Sequence, residues 1–222
     1  ILSVDEPTSG RRPSDDELDL LVALTDHAAL AVEGAQDAVR SETYRYALEQ
    51  LLAVSSSLTA TRTGKTILDA VARGIRDALE FDRVAVQLLD PERRVLETAA
   101  SAGWPEDGAE LRPLDLDQIE RLFDPQHEIA GCFLLPNEFA RARVSSDQVV
   151  YESVLNGSGP HAWNHHWLVV PLRDTDGGVI GVIWADEPRD RLLPTEERLQ
   201  ALRVFANQAT AALASADQLA KL

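Results

Sequence analysis

Between residues 15 and 58 the chain holds no proline and one glycine, Gly34. Apolar side chains return there every three or four positions: Leu21, Leu24, Ala28, Ala31, Ala35 and Ala38. The stripe passes the charged Glu42 and resumes at Tyr44, Leu48, Leu51 and Leu58. That period is one face of an α-helix. Ser14 with Glu17 three residues on forms a capping box at its start. The pattern predicts one helix of roughly 40 residues, about 60 Å long. Such a stripe outruns a single small domain, which predicts a partner helix packed along it. A second helix is predicted over 65–79, with Ile67, Leu68, Val71, Ile75 and Leu79 on one face. The period then shifts toward two. Residues 83–90 read as a strand, "DPERR" as a turn and 95–103 as the hairpin partner. A short helix is predicted over 114–123, irregular chain or strand over 127–136, and mixed structure ending in a loop over 145–160. Residues 167–174 and 178–188 read as two strands joined by "DTDGG", and a last helix opens at Thr195. This order of elements predicts an α+β fold with an antiparallel sheet.

Part of the pattern occurs twice. At an offset of 181, residues 1–36 match 182–217 without a gap. Asp5-Glu6-Pro7 falls on Asp186-Glu187-Pro188, Pro13 on Pro194 and Ser14 on Thr195. Leu18, Leu21, Ala28, Ala31 and Ala35 fall on Leu199, Leu202, Ala209, Ala212 and Ala216. Each copy reads as a strand, a proline-containing loop, a capping residue and an amphipathic helix, which is the end of a domain. The expected organisation is a remnant of an upstream domain in 1–36, a connecting helix in 37–58 and a whole second domain of the same kind in 59–222. The absence of an initiator Met agrees with a chain that starts inside its parent.

Composition narrows the function classes. The 45% apolar fraction is that of an ordinary globular protein. No apolar run approaches 18 residues, so no membrane span is expected. With 37 acidic against 21 basic residues the net charge is −16, which would repel nucleic acid and anionic lipid alike. The single cysteine, Cys132, rules out an intrachain disulfide and fits a reducing, cytoplasmic setting.

The stretch "LVVPLRDTDGGVIGVIWADEPRDRLLPTEERLQALRVFANQATAALASA" resembles the end of a GAF domain, and "AVARGIRDALEFDRVAVQLLD" resembles that family's opening helix and first strand. Residues 1–36 resemble the end of a preceding domain of the same family. The resemblance covers most of the chain and is weakest over 104–160. It implies a GAF fold: a central antiparallel sheet of about five to six strands with helices on one face, preceded here by the long N-terminal helix. It also implies a bacterial signal-transduction protein in which a sensory module binds a small molecule, mediates dimerisation, or does both, and controls an output domain elsewhere. A ligand-free dimerisation scaffold is the alternative. A GAF-fold methionine sulfoxide reductase would need catalytic cysteines, and a lone Cys132 disfavours it.

The candidate chemistry is sparse. "HAWNHHW" sets His161, His165 and His166 between Trp163 and Trp167. Pro160 and the strand that follows argue against a helical His pair, so metal or haem ligation is disfavoured. "TRTGKT" has threonine at position 59, where a phosphate-binding loop needs its first glycine, and reads instead as a helix start. Cys132, as a bilin anchor or redox sensor, is weighed against a small apolar core residue. "NEFARARVSSDQ" departs from the pattern of the family's cyclic-nucleotide branch. Asp186-Glu187 reads as a hydrogen-bonding strand end rather than an acid–base pair. Strand alternation puts Trp184 and Asp186 opposite Ile183 and Ala185, on the sheet side away from the terminal helices. Trp184 there either stacks on a ligand or fills the cavity. The candidate ligand-binding set is Trp163, His165, His166, Trp167, Trp184, Cys132 and Phe133, with no catalytic residue, no metal ligand and no cofactor assigned. The expected partners are a second copy, held through the long N-terminal and C-terminal helices, and an unidentified small molecule.

Overall fold

The first helix, α1, covers Asp15–Ser56, 42 residues, in a computed structural model that describes residues 10–56, 64–104, 112–145 and 157–220. The chain forms two units, Ile1–Tyr46 and Ala47–Leu222. At the start of α1 the capping box forms: the Ser14 N–H donates to the Glu17 carboxylate at 2.8 Å, and the Glu17 N–H donates to the Ser14 hydroxyl at 3.4 Å. Arg11 holds the same carboxylate at 2.7 Å, which lowers the Glu17 pKa below the usual carboxylate range. The strand expected at Ile1–Val4 lies outside the described residues, as do the last residues of the predicted long helix, the side chains of Leu48 and Leu51, and most of the 145–160 segment.

In the second unit α2 (Gly64–Ala78) begins where "GKT" was read as a helix start. All five side chains of its predicted stripe are buried. The strands follow: β1 (Phe81–Asp90), β2 (Val95–Ala102), the two-residue β3 (Leu114–Asp115) and β4 (Glu128–Ile129), β5 (Cys132–Leu135), β6 (Trp167–Arg173) and β7 (Val179–Pro188). They make one sheet in the order β3-β2-β1-β7-β6-β5-β4, every pair antiparallel. Among the described residues the sheet has seven strands rather than five or six, because β3 and β4 extend its two edges. Two residues are too few to carry a period. Two short helices were likewise reduced or missed. The predicted 114–123 helix is α3, Leu116–Glu120, capped by the Asp115 side chain on the Gln118 N–H at 3.0 Å. The five-residue α4 (Asn137–Arg141) had no periodic signal.

The two faces of the sheet differ. On one face α2 lies against β1 and β2, and the last helix α5 (Glu196–Ala220) lies against β5, β6 and α2. Leu199, Leu202, Phe205 and Ala209 of α5 are buried there. α2 and α5 approach closely at Gly74, where a Cβ would stand 2.8 Å from the Phe205 ring. Arg198, nearly fully buried, locks the junction. Its guanidinium donates to the carbonyls of Leu79 at 2.6 Å and Glu80 at 2.8 Å, pairs with Asp190 at 3.0 Å and lies over the Phe81 ring. These bonds pair the two carbonyls just past the end of α2, and the Arg189 N–H also donates to that of Glu80 at 2.9 Å. On the opposite, distal face a second core forms. Leu96, Val169, Val179 and Val182 from the sheet meet Leu116, Ile119, Leu122, Ala140 and Val144 from the α3–α4 region.

Candidate functional site

The distal face carries Trp184, which the alternation rule placed there, and Trp167 beside it. Register fixes them: Val169 of β6 lies opposite Trp184 of β7, and Leu135 of β5 lies opposite Trp167. Cross-strand partners share a face, so Trp167, Val169 and Trp184 point together. The two indoles meet edge to face, with centroids 6.2 Å apart and planes at 73°. Both are partly buried against the distal core.

Each indole N–H is tied down in its own direction. Trp184 Nε1 donates to Gln87 Oε1 at 2.8 Å. Gln87 is 1% exposed, and its amide nitrogen donates onward to Thr98 Oγ1 and to the Arg112 carbonyl, both at 3.4 Å. Trp167 Nε1 donates to Asn137 Oδ1 at 3.1 Å, and Arg141 donates to the same oxygen at 3.2 Å. The rings are thereby fixed in orientation, and the polar atoms that hold them are already paired. What the pair offers an incoming molecule is aromatic surface, suited to stacking. Around it, Phe133 packs on Phe123 at 5.0 Å, and Phe139 packs on His127 at 4.1 Å. Arg143 lies over Phe139 and pairs with Asp124 at 3.5 Å, while Arg173 lies over Phe123.

The other expected site residues separate. Phe133 belongs to the distal core. Cys132, its neighbour in β5, faces the opposite way: its thiol donates to the Leu199 carbonyl of α5 at 3.3 Å. It stands apart from Phe133, Trp167 and Trp184, because successive residues of a strand point to opposite faces. Burial pushes the Cys132 thiol from 9.0 up to about 12. Trp163 does not join Trp167 and Trp184. It is fully buried outside the distal core, with its backbone N–H on the Arg191 carbonyl at 2.8 Å and its ring 5.5 Å from His166. His166 Nδ1 accepts the Asn164 N–H at 3.0 Å, which requires the neutral imidazole on that nitrogen. Burial first, then His165, hold its pKa below the ordinary value. His165 is half-exposed at a left-handed turn, φ 51°. Among the described residues no three of His, Cys, Asp and Glu gather as a metal-binding group. Glu187 pairs with Arg83 at 3.2 Å, and Asp186 accepts the Glu187 N–H at 2.7 Å, so both are engaged in strand-end bonds.

Sequence reading missed Gln87 and Asn137. Gln87 carried a signal: it is the one amide in the otherwise apolar run "VAVQLL". A polar residue buried in a central strand needs partners, and here they are the indole, Thr98 and a carbonyl. Asn137 opens a five-residue helix and carried none.

A family model described as GAF domain matches residues 64–213. No curated protein matches the chain in sequence. Among solved structures, the chain is similar to the GAF domain from an Acinetobacter phosphoenolpyruvate-protein phosphotransferase, at 18% identity and a TM-score of 0.56, over 81% of this chain and 95% of that one. It is similar to residues 122 to 287 of a methyl-accepting chemotaxis protein, at 18% identity and 0.56, over 78% and 99%. It is also similar to the free methionine-R-sulfoxide reductase from Neisseria meningitidis in complex with its substrate, at 18% identity and 0.50, over 79% and 90%. At these identities the likeness is one of fold.

Proposed function

The chain belongs to the GAF domain family, and on that footing we propose that it is a regulatory sensory module with no chemistry of its own. It takes a small molecule with a planar apolar part against Trp167 and Trp184 and passes the change through its helices to an output domain. The observation that carries this reading is the tryptophan pair, held in fixed orientation by Gln87 and Asn137 on the face that α2 and α5 leave free. The chemotaxis relative agrees with a sensory setting. The reading includes a homodimer, a cytoplasmic location and a bacterial source. Among the described residues no helix is long and apolar enough to cross a membrane.

Thiol chemistry of the sulfoxide-reductase kind finds no support in Cys132. A buried thiol raised to about 12 supplies no thiolate at neutral pH.

One observation favours a second reading, a scaffold that dimerises without ligand. Trp184 spends its N–H on Gln87 and packs on Trp167, as a residue filling a cavity would. A thermal-shift panel of aromatic metabolites separates the two. On the sensory reading at least one compound raises Tm, and Trp184→Ser, the residue of the upstream repeat, abolishes or alters that response. Wild type and variant both unmoved by every compound would favour the scaffold.

A further inference from the structure

The repeat in the sequence has a counterpart in the two helices that end each copy. α1 begins at Asp15 and α5 at Glu196, the same 181-residue offset. Their first turns close alike: the Leu18 N–H donates to the Ser14 carbonyl at 3.0 Å, and the Leu199 N–H to the Thr195 carbonyl at 3.0 Å. In α5 the side chains of Leu199, Ala201, Leu202, Phe205, Ala209 and Ala212 are buried. The α1 residues at those positions are Leu18, Leu20, Leu21, Leu24, Ala28 and Ala31. All six are apolar, yet Leu18 is 46%, Leu20 61% and Leu24 55% exposed. Ala206, also buried on α5, corresponds to Thr25, whose hydroxyl donates to the Leu21 carbonyl at 2.7 Å and so turns back onto its own helix. The outward positions correspond too: Gln200 and Asn207 are exposed on α5, and Asp19 and Asp26 stand at the same places on α1. One position in the first turn departs. Arg198 reaches the end of α2, whereas its counterpart Glu17 is taken up by Ser14 and Arg11.

We propose that residues 15–31 of α1 close a second antiparallel sheet of this same fold, seated on the face Leu18, Leu20, Leu21, Leu24, Ala28 and Ala31 as the β5–β6 side of the described sheet seats α5. The width of the face selects a sheet over a second copy of the helix. It includes the adjacent pair Leu20 and Leu21, as α5 buries the adjacent Ala201 and Leu202. A helix-to-helix seam is narrower and uses two positions in seven. The seven residues that open the chain, "ILSVDEP", repeat "VIWADEP" at the end of β7, so a strand sequence of this fold stands ahead of the helix in both copies.

The test is cysteine labelling in the full-length gene product, with Leu20→Cys, Leu24→Cys, Asp19→Cys and Asp26→Cys placed one at a time. The native Cys132 is buried and gives a low background. Cysteine is small and apolar enough to stand for leucine in a packed face. The proposal expects Leu20→Cys and Leu24→Cys to react roughly 100-fold more slowly than the two aspartate replacements, because labelling must await local opening. The protection is expected to be the same at nanomolar and micromolar protein. Equal rates at all four positions would overturn it. So would protection present only at micromolar concentration, which would assign the face to a second copy. Should a replacement disturb folding, hydrogen exchange of the unmodified product decides instead. Slow, concentration-independent exchange over 15–31 supports the proposal, and fast or concentration-dependent exchange refutes it.

Discussion

Gln87 holds Trp184 in place and is nearly sealed from water. Gln87→Leu keeps the volume and removes the acceptor, leaving a partly buried indole N–H unpaired. The expected loss is about 1–3 kcal/mol of stability, read as a lower urea midpoint at unchanged slope. Adding Trp184→Phe should recover part of that loss, since it removes the orphaned donor; a double-mutant cycle measures the coupling. Cys132 makes a second prediction. Its thiol titrates near 9.0 when unfolded and at about 12 when folded. The folded state therefore keeps its proton where the unfolded state loses it, so the stability from burial is full below pH 9 and declines above it. Urea titrations of wild type against Cys132→Ala should show the difference falling by up to about 1.4 kcal/mol per pH unit between 9 and 12. His166 has the opposite sign. Its depressed pKa makes the stability it contributes full above its ordinary pKa of 6.5 and lost as pH falls below it, and His166→Phe should flatten that acid-side decline. At this scale the sequence was only partly informative. Alternation alone put Trp184 on the distal face. The same rule applied to Cys132 and Phe133 would have separated them, but 127–136 gave no clear period, so both entered the candidate set.

The elements that could be read were those long enough to repeat their own period. The stripe of α2, the strands β1, β6 and β7 and the start of α5 stand within a few residues of expectation. β3, β4 and α4 are two to five residues long and exist because the sheet edge and the distal core support them, which a local pattern does not record. The contact between α2 and α5 was also invisible, because it rests on one glycine meeting one ring across the sequence. Gly74→Val would drive its branched side chain into Phe205. Overpacking of that kind costs about 1–3 kcal/mol, and the change should appear in the thermal midpoint while Gly34→Ala, whose Cβ meets nothing, stays neutral or stabilises slightly. Arg198→Met tests the junction of α2, β1 and α5. It leaves the Leu79 carbonyl without its side-chain donor and Asp190 without its cation, while Glu80 keeps the Arg189 N–H at 2.9 Å, and it should destabilise by about 1–3 kcal/mol.

The second unit sets a fixed aromatic pair on one side of its sheet and the helices α2 and α5 on the other. β6 and β7 connect them, since Trp167 and Trp184 alternate along those strands with Leu168, Ile183 and Ala185, which face the helices. A molecule that moves the indoles thus acts on strands whose other side supports α5. The most direct measurement of that account is native mass spectrometry of the protein purified without denaturation from its own source, beside Trp184→Ser prepared identically. The account predicts a species heavier than the bare polypeptide by one small molecule, released on unfolding and lost or exchanged for another in the variant. A mass equal to the bare chain or its simple multiple in both, persisting after incubation with the low-molecular-mass extract of the same cells, would contradict it.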